Sequence, residues 1–293
     1  MQLKYTVKPT DNYQTINEIL TNEFQISTRL LSKIKKNQQT YLNGILADTR
    51  SLIKPSDNIM VDLSATEDNS NIVPTEMPLE IIYEDEWLLV INKPAGIATH
   101  PSAYHFSDSL SNGVRFYFDT INLHKKIRPI NRLDLNTSGL VIFAKCEYIQ
   151  ECISKQMAKN KVKKEYLCLT QGIFDKKIYT INLPIARKSN SIIERCISEN
   201  GQPSVTDYEV LEEFDSYSLV KCNLKTGRTH QIRVHMSYIG HPLLGDTLYG
   251  NSTELINRQA LHCYHLQFQH PVSQEVLDFV CPLPKDFKSL LQK

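Results

Sequence analysis

The residues best placed to do chemistry lie around one carboxylate, Asp134, in the segment RPINRLDLNTSGLVIFAK that spans residues 128–145. Residues 136–139 (NTSG) favour a tight turn, and residues 140–143 (LVIF) then predict a buried strand. This pattern predicts that Asp134 lies in a loop held by rigid structure. The alternative is an ordinary turn acid that pairs with its neighbour Arg132.

Two later segments carry further side chains that suit catalysis. Residues 162–172 (VKKEYLCLTQG) predict a strand that contains Tyr166. A lone strand tyrosine is far more often a core or surface residue, so this residue gains meaning only from its neighbours. The second segment, TGRTHQIRVHMSYIGHPLLGD at residues 226–246, contains Arg228, His230 and Arg233.

The second segment predicts a short helix that would position Arg233 one turn from its start. Thr229 is expected to cap this helix, and Gly240 is expected to end it. Three residues share its apolar face: Ile232, Met236 and Ile239.

Several common classes of site are disfavoured by the spacing of their usual residues. His230 and His235 are five residues apart, which does not suit the i, i+4 spacing of two metal ligands on one helix face. The seven cysteines include no Cys-x-x-Cys pair, and the chain has no glycine-rich phosphate loop and no Gly-x-Ser-x-Gly elbow. We therefore expect no metal site, and nucleotide-cofactor and acyl-transfer enzymes are disfavoured.

The length and composition favour one large domain with a small one. The 293 residues are 41% hydrophobic, which is enough for a sizeable core. Residues 64–78 (SATEDNSNIVPTEMP) are polar and acidic, so we predict a small domain at 1–63, a linker at 64–78 and a large domain at 79–293. No leader or membrane-spanning run is indicated, and we expect a cytoplasmic monomer with reduced thiols.

Residues 1–63 predict a helix–helix–hairpin module with a basic second helix. Ser27 can cap this helix, and Asn43-Gly44 is typical of a hairpin turn. The order of these parts resembles an RNA-binding module shared by a small-subunit ribosomal protein and tyrosyl-tRNA synthetase. In that family the second helix faces RNA, and here four basic residues lie on or beside it: Arg29, Lys33, Lys35 and Lys36. The alternative is a small domain that only packs on its neighbour.

Nucleic acid would have to meet local patches, because the net charge is only +1. Residues 145–164 hold six lysines against two acids, and residues 125–132 are also basic. A run of lysines is usually a solvated face, so each patch alone is weak evidence for RNA binding.

Four motifs in one order resemble those of the ribosomal large-subunit type of pseudouridine synthase. They are KPAG followed by HP, NRLDLNTSG, KKEYLCLTQG and TGRTHQIRVHMSYIGHPLLGD, and the resemblance covers residues 79–285. It implies that uridine in RNA is isomerised to pseudouridine without a cofactor or metal. It also implies an α+β catalytic domain with a mixed, largely antiparallel sheet, preceded by the small α/β RNA-binding domain.

The resemblance assigns roles residue by residue. Asp134 matches the essential aspartate, Arg233 its paired cation, and Tyr166 the tyrosine that packs on uracil. Arg132 matches the arginine that takes the place of the flipped base, and Leu261 matches an apolar residue against the ring.

The neighbours of Arg233 complete the set, and one position departs from the family. Arg228 and His230 are expected to contact the substrate as well. Asn131 stands where the family usually has His before Arg-Leu-Asp.

The physical chemistry of the reaction agrees with these roles. Breaking a glycosidic bond leaves positive charge on the sugar carbon or negative charge on uracil, and an ionised carboxylate beside the sugar can stabilise the former or attack covalently. A guanidinium beside Asp134 would keep it charged and oriented. A tyrosine offers an aromatic face for the loosened uracil and a hydroxyl that could help to move the C5 proton. Flipping the base out of its stack costs a few kcal/mol, which favours targets in structured RNA with accessible loops.

Other functions stay open at this point. The expected partner is structured RNA, with large-subunit (23S) ribosomal RNA preferred and transfer RNA as the alternative within the same family. A non-catalytic RNA-binding or ribosome-assembly factor would not need Asp134, Tyr166 and Arg233 together. An RNA hydrolase would need a second acid–base partner, and the sequence shows none.

Overall fold

The structure is a computed structural model that describes residues 1–292. Residues 1–62 form a four-stranded sheet with two helices. The strands β1 to β4 pair in the order β1-β4-β2-β3. Their bounds are β1 Gln2–Thr6, β2 Thr40–Leu42, β3 Ile45–Leu46 and β4 Asn58–Asp62, and the helices are α1 Ile16–Asn22 and α2 Thr28–Lys36.

The local predictions for this first part are confirmed. Ser27 is the N-cap of α2, and its hydroxyl oxygen accepts a hydrogen bond from the backbone N–H of Leu30 at 3.2 Å. Asn43 and Gly44 both have positive φ, 52° and 83°, as the two-residue hairpin between β2 and β3 requires.

The rest of the chain is organised around a ten-stranded sheet. Eight strands follow the order β10-β13-β14-β9-β15-β8-β6-β5, while β16 pairs with β15 and β7 with β8. The strands are β5 Glu80–Glu84, β6 Leu88–Lys93, β7 Arg128–Pro129, β8 Ser138–Ala144, β9 Lys163–Gln171, β10 Ile178–Asn182, β13 Val205–Glu213, β14 Tyr217–Leu224, β15 Leu261–Gln269 and β16 Val276–Val280. A separate two-stranded sheet contains β11 Ile185–Arg187 and β12 Arg195–Ile197.

Helices pack against this sheet, which is mixed and largely antiparallel. The helices are α3 Leu110–Thr120, α4 Glu147–Ala158, α5 Gln231–Tyr238 and α6 Lys285–Lys288. Of the strand pairs in the large sheet, β15 and β8 are parallel and the others are antiparallel. This confirms the predicted α+β class. In residues 1–292 none of the helices combines the length and the apolar composition that crossing a membrane requires.

The strand that follows Asp134, β8, lies inside the sheet between β15 and β6. Leu140, Val141, Ile142 and Phe143 are all fully buried, as the apolar run predicts. Gly139 is the second residue of this strand, with φ +116°, and a Cβ there would lie 2.2 Å from the carbonyl oxygen of Cys263. Only glycine therefore permits the close approach of β8 to β15 at the point where the Asp134 loop enters the sheet.

One cap prediction is wrong. The N-cap of α5 is His230, in the left-handed conformation with φ 57°, and Thr229 lies outside the helix. In the part of the chain that the structure describes, no side chain of the N-cap residue bonds to this helix. The rest of the predicted helix is confirmed, because Ile232 and Met236 are buried and Gly240 follows its end with φ +88°.

Residues 64–78 contain no helix or strand but contact the large sheet domain. Glu67 forms an ion pair with Arg128, and Lys125 donates from Nζ to the backbone oxygens of Leu63 and Ala65 at 2.6 Å each. The predicted linker is thus packed along its neighbour.

Candidate active site

The loop that carries Asp134 is fixed from several sides. Lys93, at the end of β6, is fully buried and donates from Nζ to the backbone oxygens of Pro94, Ile97 and Leu135 at 2.9, 2.8 and 3.1 Å. Thr137 closes a turn by donating its N–H to the backbone oxygen of Asp134 at 3.0 Å. The loop is therefore preorganised by backbone contacts on both sides of the carboxylate.

Two further side chains complete this support. The hydroxyl of Thr99 donates to the backbone oxygen of Leu133 at 3.0 Å and accepts from the backbone N–H of Leu133 at 3.1 Å. Arg258 donates from Nη1 to the backbone oxygen of Asn136 at 3.1 Å, and Asp286 holds the same guanidinium in a bidentate pair.

Asn131, the departure from the family pattern, has a structural role. Its amide nitrogen donates to the backbone oxygen of Leu140 at 3.0 Å, and its amide oxygen accepts from the N–H of Ile142 at 2.8 Å. The side chain thus attaches the segment before Asp134 to the buried strand β8.

Arg233 pairs with Asp134, which corrects the alternative that Asp134 pairs with Arg132. Nη1 of Arg233 donates to Oδ2 of Asp134 at 3.1 Å. Asp246, which is 1% exposed, accepts from Nε and Nη2 of the same guanidinium at 2.7 and 2.8 Å. Two of the donor groups are thus fixed by Asp246, and Nη1 is left for Asp134.

The neighbours of the Arg233 guanidinium keep it charged. Burial disfavours the charged form, but the hydrogen bonds and charge of Asp246, together with Asp134, raise the pKa of Arg233 above its ordinary value. The side chain of Asp134 is 27% exposed, so one face of the carboxylate stays open to a substrate. A fixed cation beside an accessible carboxylate is the arrangement that an anionic catalyst needs.

His230 lies on the other side of the carboxylate. Its Nε2 is 3.9 Å from Oδ1 of Asp134, and its Nδ1 is 2.8 Å from the hydroxyl of Tyr249. Burial lowers the pKa of His230, although the charge of Asp134 acts in the opposite direction. A neutral imidazole at neutral pH follows, which can orient a substrate group without competing with Arg233 for the carboxylate.

Tyr166 and Leu261 form the apolar wall of the same pocket. They are 6% and 5% exposed, and they lie on the neighbouring strands β9 and β15. Burial raises the pKa of Tyr166 well above its ordinary value, with smaller contributions from Cys263 and Asp134. The side chain is therefore a neutral phenol at neutral pH, with its ring available to a flat base.

All seven predicted catalytic and substrate-binding residues line one small cavity of about 90 Å³: Asp134, Tyr166, Arg233, Arg132, Leu261, Arg228 and His230. A larger cleft of about 890 Å³ opens beside it and shares Arg132, Asp134, Tyr166 and Arg228. The structure thus brings together residues from four distant segments of the chain.

The sequence interpretation missed residues that support the site. KPAG entered only as one of the four motifs, without a role for its lysine, yet Lys93 of that motif holds the Asp134 loop. Asp246 closes the last motif, and its pairing with Arg233 was not foreseen. Lys93 reaches Leu135 across 42 residues, and Asp246 reaches Arg233 across 13, so no pattern of a few neighbouring residues identifies these two contacts.

The predicted RNA-binding residues of α2 divide into two pairs. Lys33 and Arg29 lie against Glu147 of α4, with Arg29 Nε at 3.5 Å from the carboxylate. Lys35 and Lys36 are exposed, and within residues 1–292 they form no ion pair. Ser27 also donates from its hydroxyl to Glu151 at 2.7 Å, so one face of α2 is used to contact α4.

No three His, Cys, Asp or Glu side chains of the described part of the chain are grouped closely enough to hold a metal ion. The seven cysteines are free thiols, and five of them are buried. The chemistry available in the pocket is that of a carboxylate, its cation and an aromatic ring.

Known proteins of one family resemble this chain in sequence. Residues 87–238 match the family described as RNA pseudouridylate synthase. The chain is 39% identical over 271 residues to "Uncharacterized RNA pseudouridine synthase YjbO" of Bacillus subtilis, covering 92% of this chain and 96% of that one. It is 36% identical over 279 residues to "Ribosomal large subunit pseudouridine synthase D" of Neisseria meningitidis, covering 90% and 74%.

A solved structure shares the fold. "Human RNA Pseudouridylate Synthase Domain Containing 1" superposes with a TM-score of 0.59 at 30% identity, covering 71% of this chain and 84% of that one. With the aspartate–arginine pair, the buried tyrosine and the mixed sheet in place, the matched profile and relatives show that this chain belongs to the RNA pseudouridine synthase family.

Proposed function

We propose that this protein converts uridine in large-subunit ribosomal RNA to pseudouridine, with Asp134 as the catalytic carboxylate. The observation that carries the catalytic assignment is the 3.1 Å contact between Arg233 and Asp134, in a pocket walled by Tyr166 and Leu261. The choice of RNA rests on relatives such as the Neisseria meningitidis protein, whose name states a ribosomal large-subunit target.

The reaction is an isomerisation, so no atom is gained or lost overall. The bond between N1 of uracil and C1′ of the sugar breaks, the base turns, and a bond between C5 and C1′ forms. The C5 proton leaves and N1 gains a proton. Asp134 acts either on the sugar carbon or on the ring, and both routes need an ionised carboxylate.

The other pocket residues hold the base while it turns. The ring of Tyr166 and the side chain of Leu261 offer two apolar surfaces for the flipped uracil. Arg132 lines both cavities, and in residues 1–292 it forms no ion pair or hydrogen bond, so it is free to take the place of the flipped base. Arg228 and His230 line the same pocket and are assigned to substrate contact.

The amino-terminal module is assigned to RNA binding. Of the four basic residues assigned to this role, Lys35 and Lys36 form no ion pair within residues 1–292, whereas Arg29 and Lys33 would also have to contact RNA while they lie against Glu147. A two-part protein of this kind grips folded RNA at a distance from the reacting base.

Replacing Asp134 with Asn tests the catalytic assignment. The amide keeps the shape of the side chain but loses its charge, so we expect turnover to be abolished while RNA binding survives. Release of tritium from RNA that contains 5-tritiated uridine measures turnover, and a filter-binding assay measures affinity.

The matched control is Asp119→Asn, which removes a carboxylate from an exposed i, i+4 pair on α3. Substantial turnover by Asp134→Asn would contradict the assignment.

A second experiment tests which RNA is the target. Ribosomal RNA and transfer RNA from cells that lack the gene provide the substrates. Pseudouridine formed by the wild-type protein only in transfer RNA would contradict the ribosomal assignment.

A further inference from the structure

Lys164 lies on the same face of β9 as Tyr166. Successive side chains of a strand point to opposite faces, so residues 164 and 166 share a face and lie about 7 Å apart along the strand. Both residues line the 890 Å³ cleft. A group bound by Lys164 would therefore lie about one nucleotide step from a base held on Tyr166.

Among the described residues, the ammonium group of Lys164 has no counter-charge. Within residues 1–292 its Nζ forms no hydrogen bond or ion pair, and a Cβ added at Gly227 would lie 3.7 Å from it. The side chain is partly buried, and burial lowers the pKa of Lys164 below its ordinary value. A half-buried cation without a partner gains free energy when an anion binds beside it.

The adjacent lysine provides a contrast. Lys163 points to the opposite face, where its Nζ is 3.1 Å from Glu165. Glu165 also accepts a hydrogen bond from Tyr264 at 3.0 Å and lies 2.6 Å from Nδ1 of His265. One of the two neighbouring lysines is thus neutralised by a polar cluster, and the other is left facing the cleft.

The cleft as a whole favours an anion. Four cationic side chains line it: Arg132, Lys164, Lys225 and Arg228. Asp134 is its one carboxylate among the described residues, and Arg233 already pairs with that group. Lys225 pairs with Asp207 at 3.3 Å, and Arg228 donates from Nε to the backbone oxygen of Pro203 at 3.2 Å. Within residues 1–292, Lys164 and Arg132 are therefore the cations of the cleft whose side chains have neither an ion pair nor a hydrogen bond. The substrate of the family is RNA, whose phosphates carry the complementary charge.

We propose that Lys164 binds the RNA phosphate next to the target uridine and so sets the register of that nucleotide on Tyr166. This inference rests on the proposed function, because it takes the base on Tyr166 to be the reacting uridine. It goes beyond that function by assigning a phosphate subsite, with Gly227 and Arg228 at its edge, to the wall of the cleft. Lys164 is a binding residue and takes no part in bond breaking.

The test uses a stem-loop RNA that contains a uridine modified by the wild-type protein. We expect Lys164→Gln to weaken binding by about tenfold, which is the scale for the loss of one charge-assisted hydrogen bond. The slope of log affinity against log salt should fall by about 0.7 to 0.9, as for one lost phosphate contact. At saturating RNA the single-turnover rate should change much less than the affinity.

Two matched variants separate charge from structure. Lys164→Arg keeps the charge and should restore most of the salt slope. Lys163→Gln removes the neighbouring charge on the opposite face and should leave the slope unchanged. If Lys164 instead binds a carbonyl of uracil, Lys164→Gln will weaken binding without a change in slope, and the phosphate assignment is overturned.

A second RNA locates the contact. A neutral methylphosphonate placed at one phosphate beside the target uridine should weaken binding to the wild-type protein and have no further effect on Lys164→Gln. Additive losses at both flanking phosphates would overturn the proposal. Turnover of the unmodified stem-loop by the wild-type protein tests the proposed function separately. If the wild-type protein modifies this RNA but Lys164→Gln has the wild-type salt slope, the phosphate contact alone is overturned. A reduced slope supports the contact even where the target RNA proves to be a different one.

Discussion

At the scale of single residues, the site depends on how the donor groups of Arg233 are divided between the carboxylates of Asp246 and Asp134. Asp246 binds two donor groups of the guanidinium in a fully buried pair, and Nη1 is left for Asp134. The geometry of Asp134 is thus set by a planar cation that cannot rotate freely. A lysine at position 233 would supply the charge without the bidentate contact to Asp246.

Tyr166 gives the most discriminating test at this scale. The ring is assigned to hold uracil and the hydroxyl to help move the C5 proton. We expect Tyr166→Phe to preserve binding of RNA but to slow product formation by about 10² to 10⁴-fold, the usual contribution of general acid–base catalysis. Single-turnover kinetics with a stem-loop substrate measures the rate.

The control for Tyr166→Phe is Tyr166→Leu, which also removes the ring and should damage both binding and rate. Binding is measured with an RNA that contains 5-fluorouridine at the target. Burial raises the pKa of the phenol, so the hydroxyl is neutral at neutral pH and can take up the C5 proton only as it passes its own proton on. A wild-type rate for Tyr166→Phe would show that the tyrosine is a platform for stacking alone.

At the scale of elements, the Asp134 loop is positioned by strands that are distant in the chain. Lys93 ends β6 and Ser138 begins β8, directly after Thr137. The hydroxyl of Ser138 lies 2.9 Å from Nδ1 of His262 on β15. Gly139 permits the parallel approach of β8 to β15 at the same place. The loop is therefore fixed where three neighbouring strands meet.

Replacing Lys93 with Met tests this positioning. Met fills much of the same volume but cannot donate to Pro94, Ile97 and Leu135, so the Asp134 loop should loosen. We expect kcat to fall by up to about 10²-fold, since a displacement of about 1 Å at a catalytic group has that effect. The dissociation constant of the RNA should stay close to the wild-type value, because Lys93 is fully buried and does not reach the substrate.

The split between rate and affinity distinguishes positioning from a general loss of structure. Thermal unfolding and circular dichroism at the assay temperature identify the folded fraction of Lys93→Met. A folded variant with wild-type kcat would show that Thr99 and Arg258 alone suffice to hold the loop.

At the scale of the whole molecule, the two parts are joined by more than the segment at 64–78. Helix α2 of the first part contacts α4 of the second through Lys33 with Glu147 and Ser27 with Glu151. Lys155 of α4 also donates to the backbone oxygen of Gln25 at 2.7 Å. These contacts orient the exposed lysines of α2 relative to the catalytic sheet.

The double variant Lys35→Gln with Lys36→Gln tests the RNA-binding role of the module. Both side chains are exposed, and they lie on α2, which contributes no residue to the lining of the catalytic pocket. We expect weaker binding to folded RNA, with the salt slope reduced by up to about 1.8 for two phosphate contacts. The Michaelis constant should rise while kcat on a saturating short stem-loop is largely kept.

The matched control for that experiment removes two lysines that are already paired on the surface. Lys177 pairs with Glu213, and Lys221 pairs with Glu209 at 2.5 Å. The variant Lys177→Gln with Lys221→Gln changes the net charge by the same amount. Equal salt slopes for the two double variants would favour a module that only packs on its neighbour.

The sequence by itself determined the features that depend on residues close together in the chain. Turn residues followed by an apolar run predicted the Asp134 loop and the buried strand β8, and Ser27 and Asn43-Gly44 predicted a cap and a hairpin that the structure confirms. These features depend on neighbours within a few residues, so periodicity and turn chemistry suffice to identify them. The order of four motifs added the family and its proposed residue roles.

The tertiary structure decided the parts whose cause is distant. Asp134 and Arg233 are 99 residues apart, and only the strand order β9-β15-β8 and the placement of α5 bring them within 3.1 Å. The same is true of Asp246 as the second partner of Arg233 and of Lys93 beneath the loop. Alternation along β9 separates Lys163 from Lys164, but the packing of the sheet decides which of them faces the cleft. Side-chain pairing is a property of folded neighbours, and chain order does not specify it.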